Sequence, residues 1–336
     1  MPRPRTRQNI YTDLAIELHD ILQEERRQVK EEYELSGIKV SVSNIQDEIE
    51  VTTVDVTTEE GAREMGKPMG RYITVESKAL RENDPDTHEL ITKELAAKLG
   101  ELHQLKPDGQ VLIVGLGNWH VTPDALGPKV IDKVLVTRHI PKEALPEGLE
   151  GIRFTSAIAP GVMGMTGVET AEIVKGVVDR TKPDLIIAID ALASRSTNRI
   201  NSTIQVSNTG VAPGTGMGNK RLQINEATMG VPVIAIGVPT VVDAATLIND
   251  AMDKVAADMA SYVEEGSAFY EMLQDLGNEN RYPVIKDILD PYEGNMFVTP
   301  KEVDAVVERL SGVIANSINM ALHPGITTED MNRYLY

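Results

Sequence analysis

The 336-residue chain contains no cysteine. That absence excludes disulfides, thiolate metal sites and a cysteine nucleophile; it leaves the redox compartment open and is compatible with a cytosol. No Gly-x-Ser-x-Gly elbow occurs, so a serine hydrolase of the α/β type loses its main signature. No uninterrupted apolar run is long enough to span a bilayer, and the basic start Met1-Pro-Arg-Pro-Arg-Thr-Arg7 leads into no apolar segment of the kind a secretory signal needs. Membrane insertion and export by a standard signal are therefore not expected. Positive charge is also short: 33 Lys and Arg stand against 51 Asp and Glu, a formal net charge of -18. Such a chain repels phosphate backbones, which argues against nucleic acid as a direct partner and leaves a basic or neutral protein substrate as compatible as a small molecule.

What is present is enough apolar material, 41% of the residues, to bury a large core in one domain or two closely joined ones. Leu14, Leu18, Ile21, Leu22 and Val29 recur at helical spacing, which predicts an amphipathic helix over Leu14 to Leu35. Ile38 to Val42, Ile49 to Val56 and Arg71 to Glu76 carry β-branched residues with partial alternation and predict a small, antiparallel β unit. From Pro85 the order changes to helix up to about His103, strand Val111 to Gly115, helix from Pro128, strand Phe154 to Ile158, helix Val168 to Val178, strands Leu185 to Ile189 and Val233 to Ile236, and helix Val242 to Tyr262. A strand-like Asn295 to Val298 precedes a last helix from Lys301 to about Leu322. Continuous apolar strands alternating with helices require a sheet covered on both faces, so the expected fold is α/β with a mainly parallel central sheet flanked by helices.

Several local patterns imitate known sites. Gly61-Ala-Arg-Glu-Met-Gly66-Lys67 has phosphate-loop spacing, but Pro68 stands where a hydroxyl would hold magnesium; Thr58 as N-cap and Gly66 as terminator of a short helix account for it. Gly115-Leu-Gly117 follows a strand as in dinucleotide folds, yet His120 replaces the third glycine, which favours a tight turn. The six histidines show no metal-binding spacing; His120 and His139 are the two placed to line a site.

Two aspartates are harder to dismiss. Asp124 follows Val111-Leu-Ile-Val-Gly-Leu-Gly-Asn118 and Thr122-Pro123, and Asp190 closes the apolar run Leu185-Ile-Ile-Ala-Ile189, where an ionised carboxylate is costly without a partner. Ligands of open α/β sheets collect beyond the carboxyl ends of strands, so the two are candidates to meet in one site. Asp124 can alternatively cap the following helix. Two glycine-rich loops, Pro160 to Gly167 and Pro213 to Lys220, add backbone amides able to bind an anion or a developing oxyanion.

Gly115-Leu-Gly-Asn118, Val121-Thr-Pro-Asp-Ala-Leu-Gly-Pro-Lys129, Thr137-Arg-His139, Ala159-Pro-Gly-Val-Met-Gly-Met-Thr-Gly167, Ile187-Ala-Ile-Asp-Ala-Leu-Ala193, Gly218-Asn-Lys220, Ile234-Ala-Ile-Gly-Val-Pro-Thr-Val-Val-Asp243 and Val298-Thr-Pro-Lys-Glu-Val-Asp304 together closely resemble the germination protease family of spore-forming bacteria. The likeness covers nearly the whole chain and is weakest from about Ser267 to Glu293. It implies a phosphorylase/hydrolase-like, hydrogenase-maturation-protease-like core and an atypical aspartic endopeptidase without a cofactor. It also implies a homotetrameric zymogen of the forespore or spore-core cytoplasm, shortened by self-cleavage, whose substrates are small acid-soluble spore proteins. Family cut sites have an acidic residue, an apolar one and then Ala. Thr12-Asp-Leu-Ala-Ile-Glu17 matches, so Asp13–Leu14 is the expected processing bond, in a first helical turn that Thr12 or Asp13 would cap and that would have to fray. The chain then divides into a propeptide (1–13), a helix with a small β unit (14–84) and a catalytic core (85–336).

Two neighbouring carboxyls can hydrolyse a peptide without a covalent nucleophile, one activating water and the other protonating the departing amine, because like charges push their pKa values apart. Asp124 and Asp190 are the expected pair, with both role assignments open. The amides of Gly161, Gly164, Met165, Thr166 and Gly167 are candidates for the scissile carbonyl, and Lys129, Arg138 and Arg195 for charge partners. Two rivals stand beside this reading. A metal-dependent maturation-type endopeptidase needs a third ligand, and no His follows the Ile234 strand; a nucleotide- or phosphate-binding α/β protein would use the same loops and acids.

Overall fold

Leu185, Ile187 and Ile189 enter one core layer while Ile186 and Ala188 enter another, so this strand is buried from both sides as its unbroken apolar run requires. The computed structural model describes residues 12–29, 37–46, 48–106, 108–140, 151–212, 222–264, 266–272, 282–289 and 296–324. In chain order its elements are α1 (Ala15–Val29), β1 (Ile38–Ile45), β2 (Ile49–Val56), α2 (Glu59–Met65), β3 (Gly70–Glu76), α3 (Pro85–Leu102), β4 (Gln110–Gly115), α4 (Leu126–Ile131), β5 (Phe154–Ile158), α5 (Met163–Thr166) and α6 (Thr170–Thr181). Then follow β6 (Leu185–Ser194), β7 (Thr203–Ser207), α7 (Glu226–Met229), β8 (Val233–Asp243), α8 (Ala244–Ser261), α9 (Tyr282–Leu289), β9 (Phe297–Val298) and α10 (Val303–Leu322).

The nine strands among the described residues form one sheet in the order β1-β2-β3-β7-β8-β6-β4-β5, with β9 added to β8. The core β5-β4-β6-β8 is parallel and the expected N-terminal β unit is antiparallel. The sequence reading missed β7. Thr203-Ile-Gln-Val-Ser207 pairs antiparallel with both β3 and β8 and so joins the two parts into one sheet. From β4 the chain moves to β5 on one side and then returns to β6 on the other, which makes the gap between β4 and β6 a topological switch point.

α3, α4 and α10 bury their apolar residues against one face, together with Ile73, Ile113, Ile187 and Ile236. α6 and α7 cover the parallel strands on the other face, where α1 and α2 cover β2 and β3. Between these two sets of helices no described helix covers the second face. Pairing aligns Thr52, Thr74, Gln205, Gly237 and Asp190 in one row across β2, β3, β7, β8 and β6, and side-chain alternation turns that row to the open face.

Asp190 does not lie beyond its strand, as the sequence suggested, but inside it. β4 leaves at the Gly115 to Ile189 pair, while β6 and β8 continue together from Asp190 and Gly237 to Ser194 and Val242. The carboxyl is thereby placed at the level where β4 ends and its loop begins. The glycine-rich stretch Pro213 to Lys220 lies outside the described residues, as do residues 1–11 of the expected propeptide. No described helix is long and apolar enough to cross a membrane.

Candidate active site

The loop after β4 is folded back onto the sheet by close backbone approach. Gly117 has φ +110, and a Cβ there would lie 2.0 Å from the Asp124 carbonyl oxygen and 3.1 Å from Asp124 Oδ1. A Cβ on Gly127 would meet the Leu116 carbonyl oxygen at 2.3 Å. Gly117 serves a tight turn, as expected, and the close approach at both glycines lets Asp124 sit against the strand end. Asp124 occupies a short 3-10 turn, Thr122–Asp124, and makes no capping bond to α4, whose N-cap is Ala125. The capping alternative falls away.

Asp124 and Asp190 line one cavity of about 1080 Å³ on the open face. Asp190 Oδ1 accepts from the Ala191 N–H at 2.9 Å. Burial pushes the Asp190 carboxyl well above the ordinary value, and the charges of Asp124 and Asp13 push it further. Burial raises Asp124 to about 6, against an opposing hydrogen bond from the Asn118 backbone. Desolvation thus holds both carboxyls above their solution range, and like charge adds to it at Asp190, the condition under which one keeps its proton near neutrality.

Asp13 is the third carboxyl of this cavity. Its N–H donates to the Ala193 carbonyl oxygen at 2.9 Å, and its Oδ2 accepts from the Ala193 N–H at 2.9 Å. Its own carbonyl oxygen, that of the Asp13–Leu14 peptide, accepts from Lys67 Nζ at 2.9 Å and Gln205 Nε2 at 3.4 Å. Gln205 Oε1 in turn accepts from the Ala15 N–H at 2.7 Å. Leu14 is wholly buried and α1 starts at Ala15, so the Asp13–Leu14 bond lies just before the helix and not within its first turn. Thr12 does not cap α1 as expected: its Oγ1 accepts from the Leu14 N–H, ahead of the helix, and the first helical amide, that of Ala15, goes to Gln205.

The other expected groups are placed differently. Gly161, Val162, Met163 and Gly164 line the cavity, but the amides of Met165, Thr166 and Gly167 are consumed by the Val162 and Met163 carbonyls. Those three cannot receive an oxyanion. Lys129, Arg138 and Arg195 do not line the cavity: Lys129 pairs with Glu308, Arg195 forms a two-point pair with Asp250 at 2.8 and 3.0 Å, and Arg138 is exposed. His120 and His139 are exposed and away from it. Among the described residues no group of three or more His, Cys, Asp or Glu side chains is arranged to hold a metal ion.

Sequence reasoning passed over Lys67 and Gln205. The cap reading of their neighbourhood holds, since Thr58 Oγ1 accepts from the Gly61 N–H and Gly66 is left-handed at φ 64. Yet that left-handed exit is what turns Lys67 toward the cavity. A glutamine amid β-branched residues in Thr203-Ile-Gln-Val-Ser207 was the available signal for Gln205.

The family model described as Germination protease matches residues 15–268 and 255–335 of the chain. Germination proteases of Clostridium perfringens and Caldanaerobacter subterraneus subsp. tengcongensis are each 47% identical, covering 97% of this chain and 99% and 98% of theirs. That of Bacillus cereus is 40% identical, covering 100% of this chain and 99% of its own. Among solved structures, a NiFe hydrogenase maturation protease from Thermococcus kodakarensis aligns at TM-score 0.30 and 16% identity, over 62% of this chain and 92% of that one. By its match along nearly its full length, the chain belongs to the germination protease family and is a peptidase.

Proposed function

We propose that this peptidase opens the degradation of small acid-soluble spore proteins during germination, is made as a zymogen, and frees itself by cutting its Asp13–Leu14 bond with Asp124 and Asp190 as the reacting pair. One observation carries the reading: the cavity that both aspartates line is also lined by Asp13, whose peptide carbonyl is held there by two side chains. Residues 1–13 are the propeptide, 14–84 the helix and β unit, and 85–336 the catalytic core.

The proton roles follow from the environments. Asp124, at about 6, is largely ionised at neutral pH and takes a proton from water as the water oxygen bonds to the carbonyl carbon. Asp190, raised further by burial and by the Asp124 charge, keeps its proton and delivers it to the nitrogen as the carbon–nitrogen bond breaks. A carboxyl and an amine result, and the proton held by Asp124 returns the pair to its starting state by passing to Asp190.

Self-association into a homotetramer has support in α8. Ile248, Met252, Val255, Met259 and, just past the helix, Tyr262 recur at coiled-coil spacing and are all exposed, a stripe that a second copy of the chain would cover. The setting is the forespore or spore-core cytoplasm. Neither nucleic acid nor a membrane is required as a direct partner.

Incubating the full-length chain under activating conditions yields a new N-terminus at Leu14, read by N-terminal sequencing. Asp124→Asn and Asp190→Asn each stay uncut and inactive on an acid-soluble spore protein while keeping fold and assembly. Active enzyme with an intact N-terminus, or substantial activity in either variant, overturns the reading.

A further inference from the structure

Lys67 is the sole cation among the described residues that line the cavity. Its Nζ lies 2.9 Å from the Asp13 carbonyl oxygen; burial pushes the Asp13 carboxyl above its ordinary value, and the Lys67 charge opposes that rise. Half-buried on a short segment between α2 and β3, Lys67 forms no salt bridge with a described residue; what it holds is the Asp13 peptide carbonyl, and it attracts the acidic side chain of the same residue through space. From these contacts we infer that Lys67 is a catalytic and specificity-determining residue: it polarises the carbonyl of the bond to be cut and selects an acidic residue before it, with Gln205 as the second donor to that oxygen. This rests on the proposed self-cleavage at Asp13–Leu14.

The geometry divides the work. Ala193 receives the incoming strand at two points, accepting from the N–H of the acidic residue and donating to its carboxylate. Lys67 and Gln205 meet its carbonyl oxygen from side chains separated from it by 54 and 192 positions in the chain. Negative charge grows on that oxygen as water adds to the carbon, and a fixed ammonium in a partly dry cavity stabilises it far better than water would. An uncharged side chain before the cut bond would leave the half-buried ammonium without its anion, which is a penalty on the wrong substrate rather than a bonus for the right one. After residues 12 and 13 leave, the same three groups are open to a protein substrate, so the chain's own segment serves as the template for substrate binding. Two negative charges, the acidic side chain and the developing oxyanion, thus share one cation. The glycine-rich segment Gly161 to Gly164 becomes a wall of the cavity rather than its anion hole.

The test uses the full-length chain in four forms: wild type, Lys67→Met, Asp13→Asn and the double variant, each followed for release of residues 1–13 under activating conditions. Lys67→Met slows self-cleavage about 10²–10³-fold, the scale of losing one oxyanion donor. Asp13→Asn slows the wild type, yet adds little to Lys67→Met, because the two changes remove the same interaction. Lys67→Arg, which keeps the charge, retains the preference for Asp over Asn at residue 13 at a reduced rate. Thermal unfolding of all forms, matching wild type, shows that the loss is chemical. Self-cleavage of Lys67→Met at the wild-type rate, or full multiplication of the two single effects, overturns the proposal. A wild-type chain that stays uncut overturns instead the self-cleavage on which the proposal rests, and the proposal with it.

Discussion

Two groups of buried charge lie along the same stretch of β6, and they are built in opposite ways. Just past the strand, Glu17 of α1 is almost inaccessible and fully used: its Oε2 accepts from the Arg195 N–H at 2.6 Å and from the Thr12 hydroxyl, and its Oε1 accepts from the Ser196 N–H at 2.9 Å. Arg199 stands 3.6 Å away and also bonds Glu76 at 2.9 Å and Asp20 at 3.2 Å. A few residues earlier, Asp190 accepts from its own neighbour's amide and faces two other carboxyls across the cavity. One cluster satisfies its charges and fixes α1 to the sheet. The other leaves like charges crowded, which costs stability and creates reactivity.

The largest way to break this contrast is to neutralise the crowded cluster. Asp190→Asn removes the proton donor and lowers cleavage at least about 10³-fold, over 4 kcal/mol of barrier. The same change relieves a desolvated carboxyl held among like charges, so stability against denaturant rises by about 1–3 kcal/mol. Activity and stability measured on one preparation move in opposite directions; a variant that loses both places Asp190 with the structural acids.

Neutralising the satisfied cluster does the reverse. Glu17→Ala leaves the Arg195 and Ser196 amides and the Arg199 guanidinium short of a partner and costs about 3 kcal/mol, read as a lowered denaturant midpoint at unchanged slope. Residues 12 and 13 then lose an anchor close to the cavity, and self-cleavage slows through misplacement of the bond rather than through chemistry.

Acidity sharpens the comparison further. A carboxyl whose folded pKa lies above its unfolded one binds an extra proton in the native state, so Asp124, at about 6 against an ordinary 3.8, makes the fold gain stability as pH falls through that window. The gain reaches about 3 kcal/mol and is absent in Asp124→Asn. Activity follows the other branch, falling below about pH 6 as Asp124 takes up its proton, and falling again when alkali removes the proton from Asp190. Unfolding and cleavage measured across the same pH series test both limbs.

The parts of this arrangement legible in the sequence are those encoded locally. Asp124 and Asp190 announce themselves because each follows an apolar run that only a buried strand explains, and Thr58 with Gly66 reads as a cap pair because capping is settled within a few residues. Lys67 was invisible because its partner lies 54 residues away, in a segment read only as a cut site and not as part of the site that cuts. Gln205 was hidden with its strand: five residues between turns leave too short a window for period-2 alternation to show, and β7 is recognisable only by the two strands it joins. Charge partners failed most plainly, since proximity in sequence to a candidate acid says nothing about which way a long side chain reaches.

Lys129 shows what that failure costs energetically. It reaches Glu308 at 2.6 Å, and Lys133 reaches the same carboxylate at 2.5 Å, so two cations hold one half-exposed acid on α10. The lysines hold the Glu308 carboxyl down to about 2, so its contribution is present above the unfolded value of 4.5 and is lost as pH falls toward 2. Water and salt screen a group this exposed, and Glu308→Gln therefore costs no more than about 1 kcal/mol at neutral pH and less in high salt. Cleavage is unchanged, because the pair stands outside the cavity. A large loss of activity in Glu308→Gln would restore Lys129 to the site and erase the distinction between charges that hold the fold and charges that work in it.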